Sequence, residues 1–121
     1  MTADDTPILD QEILAELEAF GHDFVVELVN TFETQSATLL DQVTAGIAAG
    51  DSDAVHRAAH TLKGSAASVG LARSAAWAES LDDVTRTVPL DGDRAGQLLA
   101  DLADSISNSL VAVRAEPEGL R

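Results

Sequence analysis

The sequence predicts an all-α fold, an antiparallel four-helix bundle with a short additional N-terminal helix. Apolar residues recur three and four positions apart through five segments, which glycine and proline separate. Hydrophobic residues make up 45% of the chain but aromatic residues only 3%, and alanine is the most frequent residue. Small apolar side chains suit closely packed helices better than a β-sandwich. The length of 121 residues predicts one domain.

The first helix is predicted between Pro7 and Gly21. Residues 1–7 are polar, and we expect them to form a disordered N-terminal tail. Leucine, isoleucine and phenylalanine then recur at helical spacing from Ile8 to Phe20. Proline before a helix and glycine after it is the order that helix ends favour. We expect this short helix to cap one end of the bundle.

Four longer helices follow between further glycines and prolines. Aspartate and serine residues at 51–53 supply N-cap candidates for the third of the five helices. The longer helices are predicted from His22 to the turn at Gly50, from Asp53 to Val69, from Leu71 to Val88 and from Asp91 to Ala115. Short connections between long helices predict antiparallel neighbours. The bundle domain therefore covers residues 8–115, and residues 116–121 are expected to form a disordered C-terminal tail.

Composition excludes several classes of function. The 21 acidic residues outnumber the 7 basic ones and give a net charge of −14, which repels phosphate backbones and anionic lipid. The absence of cysteine excludes disulfides, zinc-thiolate sites and cysteine nucleophiles. Residues 1–20 carry no basic side chain, unlike a signal peptide, and no apolar run approaches the length of a membrane span. We expect a cytoplasmic monomer without nucleic-acid or membrane partners.

The third helix carries a histidine away from its apolar side. At 100° per residue, one narrow stripe collects Val55, Ala59, Leu62, Ala66 and Val69. His60 lies about 140° from the middle of that stripe by the same geometry. His60 is therefore expected to be exposed to solvent on a rigid helix.

Gly64 follows His60 by one turn and is predicted to share its outer face. Glycine inside a helix costs about 1 kcal/mol relative to alanine, so its presence there needs a reason. A glycine that served helix packing would lie in the apolar stripe. We infer that another protein approaches His60 closely, over a docking surface formed by His56, Gly64, Ala67 and Ser68.

The block from Ala59 to Leu71 resembles the signature of histidine-containing phosphotransfer (HPt) domains. That signature has an acceptor histidine, a lysine three positions later, a glycine four positions later and a helix-ending glycine ten positions later. In this sequence His60, Lys63, Gly64 and Gly70 stand at those positions. The similarity extends to Glu79 and Leu81, and the helix order matches from about Ile8 to Ala115.

The resemblance implies a phosphocarrier in a multistep two-component phosphorelay. His60 would accept a phosphoryl group from an aspartate of a receiver domain and pass it to another receiver, while Lys63 stabilises the phosphoryl group. The implied partners are response-regulator receiver domains and a hybrid sensor kinase. The chain would not be an enzyme, would not phosphorylate itself, and would need no cofactor, because Mg²⁺ belongs to the receiver.

Two other interpretations fit part of this pattern. A helical adaptor could bind receiver or kinase domains without chemistry, although degenerate relatives of that kind usually lack the histidine. His56 and His60, four residues apart, could also form a metal pair. The segment between them lacks the glutamate of a zinc-protease helix and no third ligand is obvious, so we expect no metal site.

Asp82 marks a departure from the family pattern. Some relatives present glutamine or a similar group to the acceptor imidazole at this place on the fourth helix, whereas this chain has an aspartate. A carboxylate would accept a hydrogen bond from the imidazole and orient it. The same carboxylate would repel the phosphoryl group, which leaves the role of Asp82 open.

Overall fold

The computed structural model describes residues 2–116, and they form five α-helices after one short 3-10 helix. The α-helices are α1 (Gln11–Glu18), α2 (His22–Ala49), α3 (Ser52–Ser68), α4 (Ala72–Val84) and α5 (Gly92–Ala115). No strand occurs between residues 2 and 116. The predicted all-α class is confirmed. Within this range no helix combines the length and the apolar character that crossing a bilayer requires.

The four longer helices pack in a closed ring. Each neighbouring pair is in contact: α2 with α3, α3 with α4, α4 with α5, and α5 with α2. Their inward faces form one apolar core, which includes Phe32, Val43, Leu62, Leu81 and Leu102. The third helix is therefore flanked on both sides, by α2 and by α4, and one face remains open to solvent.

Two glycines with left-handed backbone conformations flank α3. Gly50 has φ +65° and Gly70 has φ +79°, a region that favours glycine. A side chain on Gly70 would also meet Leu14, since a Cβ there would lie 2.9 Å from Leu14 Cγ. The backbone of Asp10 donates to the Gly70 carbonyl at 2.8 Å. These contacts seat α1 on the end of the bundle where α3 turns into α4, as expected.

The N-terminal segment differs from the expectation of a disordered tail at residues 1–7. Residues Ala3–Asp5 form the 3-10 helix, and Ala3 is buried against α4. The guanidinium Nε of Arg73 donates to the Thr6 carbonyl at 2.7 Å. This contact joins residues far apart in the chain, which periodicity does not reveal. Met1 and residues 117–121 lie outside the described residues, so the predicted C-terminal tail is described only at Glu116.

The fourth helix ends earlier than predicted. It stops at Val84, and the Thr85 hydroxyl donates to the Asp82 carbonyl at 2.6 Å. Val88, expected to face the core, is 83% exposed. The residue before a proline disfavours helical backbone angles, and Val88 precedes Pro89. The restriction before Pro89 therefore keeps Val88 out of the helix, although the apolar spacing predicts it as a helical residue.

Three buried serines hold α4 against α5. The Ser74 hydroxyl lies 3.0 Å from that of Ser105 and 3.1 Å from that of Ser109. Small side chains let the two helices approach closely, and the mutual hydrogen bonds satisfy the buried hydroxyls. This contact fixes the lateral position of α4, the helix that also faces α3.

Candidate functional site

The predicted face of α3 is the one that the structure exposes. Each apolar residue of the expected stripe is buried: Val55, Ala59, Leu62, Ala66 and Val69. The His60 side chain is 69% exposed on the opposite face. Because α3 is regular from Ser52 to Ser68, its backbone fixes the point on the surface from which the His60 side chain extends.

Asp82 of α4 lies between the two histidines of α3. Its side chain is only 9% exposed. Its Oδ1 atom is 2.5 Å from Nδ1 of His56, and its Oδ2 atom is 3.9 Å from Nδ1 of His60. The first contact is a hydrogen bond, whereas the second is too long for one and within the range of an ion pair. The two rings stack with centroids 5.8 Å apart. One buried carboxylate thus faces the Nδ1 side of both imidazoles.

Lys63 lies one turn beyond His60 and pairs with α4 as well. Its Nζ atom is 3.3 Å from Oε1 of Glu79. Both side chains are partly exposed, and ion pairs of this kind contribute at most about 1 kcal/mol. This weak contact holds the Lys63 ammonium near His60. Lys63 can leave Glu79 when a group with more negative charge approaches.

The surface beside His60 has few side-chain atoms. A Cβ added to Gly64 would meet no atom within 4 Å, so this glycine faces open space as predicted. Ala67 and Ser68 are exposed next to it, and the Ser68 hydroxyl donates back to the Gly64 carbonyl at 2.8 Å. His56 shares this face but contacts Asp82. The predicted docking residues therefore lie together, and His56 has a contact that the sequence analysis did not anticipate.

Between residues 2 and 116, no group of three or more histidine, aspartate and glutamate side chains is arranged to hold a metal ion. The pairing of His56 with Asp82 occupies the Nδ1 atom of one of the two histidines that stand four residues apart on α3.

The family resemblance already placed Asp82 beside the His60 imidazole, but the pairing of Lys63 with Glu79 was missed, although a simple pattern would have found it. Helices α3 and α4 run antiparallel around the turn at Leu71. His60 and Asp82 lie equally far from Leu71 in the sequence, as do Lys63 and Glu79. Residues placed symmetrically about a tight turn between antiparallel helices lie opposite one another, so the spacing alone pairs these residues.

Comparison with known proteins decides the family. The family model described as "Hpt domain" matches residues 27–116, which include all of α3, α4 and α5. The chain belongs to the Hpt domain family. The Hpt match begins inside α2, so α1 lies outside the matched residues. The exposed face of α3 that carries His56 and His60 lies within them. The resemblance inferred from the block around His60 is confirmed at the level of the family.

A solved Hpt structure is similar over almost the full length of both chains. It is the crystal structure of histidine-containing phosphotransfer protein B (HptB) from Pseudomonas aeruginosa PAO1. The two chains share 27% sequence identity and superpose with a TM-score of 0.77, covering 89% of this chain and 92% of the other. No curated protein matches this chain significantly. The Hpt helical bundle is thus the fold of this chain.

Proposed function

We propose that this Hpt chain is a histidine phosphocarrier of a multistep phosphorelay, with His60 as its phosphoacceptor. The observation that carries the proposal is the exposure of the His60 imidazole on the open face of α3, beside Lys63 and Gly64. The family match and the similarity to HptB, which is named a phosphotransfer protein, support the same function.

The chemistry requires little beyond this arrangement. A ring nitrogen with a free lone pair attacks the acyl phosphate on a receiver aspartate, so that a P–N bond forms while the P–O bond to the aspartate breaks. The aspartate carboxylate is the leaving group. Histidine suits this role because its imidazole is partly neutral near pH 7. In the reverse direction, the aspartate of a second receiver attacks the phosphohistidine and releases the imidazole.

Phosphoryl transfer otherwise depends on positioning and on neutralising charge. Lys63 supplies the ammonium on this chain, and the receiver supplies the Mg²⁺ and the aspartate under the proposal. Gly64, Ala67 and Ser68 form the docking surface that lets a receiver reach His60. The proposed partners are response-regulator receiver domains and a hybrid sensor kinase, met by a monomer in the cytoplasm. The chain is then a carrier, consumed and regenerated in each cycle, and not an enzyme.

The test is transfer of labelled phosphate from phosphorylated receiver domains. We expect the chain to acquire label that is labile in acid and stable in alkali, as a phosphoramidate is. His60→Gln should abolish the label. His22→Gln is the matched control, because His22 lies on α2 and bonds to Glu18. Label that persists in His60→Gln would contradict the assignment, and receiver binding without any label would favour the adaptor function.

A further inference from the structure

A buried carboxylate beside a phosphoacceptor needs explanation. Asp82 carries negative charge into the site that is proposed to receive a phosphoryl group, and like charges repel strongly where solvent is excluded. Burying a charge is also costly unless it is paired. The contacts of Asp82 with α3 show how this chain accommodates it.

His56 takes one oxygen of this carboxylate. The hydrogen bond between His56 Nδ1 and Asp82 Oδ1, at 2.5 Å, joins α3 to α4. It leaves the other oxygen, Oδ2, as the one that faces Nδ1 of His60. A carboxylate held at one oxygen cannot rotate freely, so His56 determines where the second oxygen lies.

Lys63, Glu79 and Asp83 of the two helices form ion pairs that do not include Asp82. Lys63 of α3 contacts Glu79, and Asp83 of α4 lies 2.7 Å from Arg86, which follows the end of that helix. The contacts of the Asp82 carboxylate with charged or titratable groups therefore run to the two histidines of α3. His56 is 51% exposed and makes the shorter of the two.

We propose that His56 is a positioning residue of the phosphotransfer site: it holds Asp82 so that the carboxylate keeps a proton on Nδ1 of His60 and leaves Nε2 as the nucleophile. This inference rests on the proposed function of His60. It assigns His56 a role different from that of a docking residue, because His56 acts through Asp82 and not through the receiver.

The transfer step balances in this arrangement. The Nε2 lone pair of His60 forms the P–N bond as the receiver aspartate leaves, and the Nδ1 proton stays on the ring. The phosphorylated ring is therefore a cation, which the Asp82 carboxylate beside Nδ1 stabilises. The hydrogen bond from His56 shares the negative charge of Asp82 and reduces its repulsion of the phosphoryl oxygens. When the phosphoryl group leaves, the neutral ring with its Nδ1 proton is regenerated.

Two substitutions of His56 separate positioning from docking. His56→Phe keeps a ring that can stack on His60 but removes the donor to Asp82. His56→Asn places an amide NH₂ close to the position of the Nδ1 atom, so it can donate to the same oxygen. The substituted position is half exposed, and circular dichroism would check that the bundle is retained in both variants.

The experiment measures single-turnover transfer from a phosphorylated receiver domain over a range of receiver concentrations. We expect His56→Phe to lower the rate at saturating receiver about tenfold, about 1.4 kcal/mol of transition-state stabilisation. The receiver concentration at half-saturation should not change, and His56→Asn should restore most of the rate. In the Asp82→Asn background, adding His56→Phe should produce no further loss.

The ring protons of His60 provide a second readout. Nitrogen-15 NMR of the unphosphorylated protein distinguishes a proton on Nδ1 from one on Nε2. We expect the Nδ1-protonated form of His60 to dominate in the unsubstituted chain and in His56→Asn, and to decrease in His56→Phe. A merely structural role would leave this ratio unchanged.

Opposite results would overturn the proposal. A change of half-saturation alone in His56→Phe would make His56 a docking residue. An unchanged rate and an unchanged proton position, in a chain whose His60 is labelled normally, would refute the role of His56 and leave the proposed function standing. Absence of label on His60 in the unsubstituted chain would refute both.

Discussion

The Nζ atom of Lys63 lies 3.3 Å from the Oε1 atom of Glu79, so the ammonium beside His60 is paired with a carboxylate of α4 before any phosphoryl group arrives. A phosphoryl group carries nearly two negative charges near neutral pH, more than the single charge of a carboxylate. We expect Lys63 to leave Glu79 for the phosphoryl oxygens, since an exposed ion pair contributes little. Glu79 is then a competitor for Lys63.

Substitutions on either side of this pair should have opposite effects. Lys63→Ala should slow transfer to His60 by about tenfold, because it removes a charge-assisted contact to the phosphoryl oxygens. Such contacts contribute roughly 1.5–3 kcal/mol. Glu79→Gln should raise the transfer rate about twofold, since it frees Lys63. Asp83→Asn is the matched control, because it makes the same charge change at the partner of Arg86. If Glu79→Gln slows transfer as Lys63→Ala does, Glu79 positions the lysine and does not compete for it.

Substitution of Gly64 should affect transfer more than folding. A side chain at Gly64 meets open space, so Gly64→Ala should raise the free energy of unfolding by up to about 1 kcal/mol. Gly64→Gln should fold as well but slow transfer, because its side chain stands where a receiver approaches His60. Gly96→Gln is the control: Gly96 is also helical and open, and lies on α5, which packs against α2 and α4. Urea unfolding and transfer rates would be measured on all three variants. Loss of the fold in Gly64→Gln would refute the docking-surface interpretation.

The isolated chain should not use ATP. Its eight glycines are scattered and form no loop that could cradle phosphates. Incubation with labelled ATP and Mg²⁺ should leave the protein unlabelled, whereas the same sample should acquire label once a phosphorylated receiver is added. Stoichiometric self-labelling would require a different function.

Stability should depend on pH through an ion pair remote from the site. A hydrogen bond from Arg114 to Glu33, at 2.7 Å, holds the pKa of the Glu33 carboxyl below its ordinary value of 4.5. A depressed pKa in the folded state adds stability above the ordinary pKa, and that stability is lost as the pH falls through the folded value. Glu33→Gln should therefore be slightly less stable than the unsubstituted chain near neutral pH and equally stable in strong acid. Glu27→Gln on the same helix is the control in urea titrations at both pH values.

Local rules predicted the bundle and the histidine face. Glycine and proline end helices through their own backbone preferences, so the turns at Gly50 and Gly70 could be read from the sequence. The direction of His60 follows from the 3.6-residue period of α3, which does not depend on the rest of the chain. These features required no knowledge of which helices become neighbours.

Contacts between distant segments could not be read in the same way. The bond between His56 and Asp82 depends on the distance and rotation between α3 and α4, which packing of the whole bundle sets. The burial of Ala3 against α4 depends on a segment that shows no periodicity. The sequence therefore predicts His56 on the docking face but not its bond to Asp82, and it predicts a tail at residues 1–7 but not the burial of Ala3.

A receiver that covers Gly64 and Ala67 also covers His60, because all three lie on one open face of α3. Two receivers therefore cannot occupy the chain together, and under the proposed function the donor must dissociate before the acceptor binds. The relay then follows ping-pong kinetics, and the phosphorylated form must outlive the exchange of partners. An excess of either receiver competes with the other for this face. The relative abundance of the two receivers therefore sets the rate at which phosphoryl groups pass through the chain.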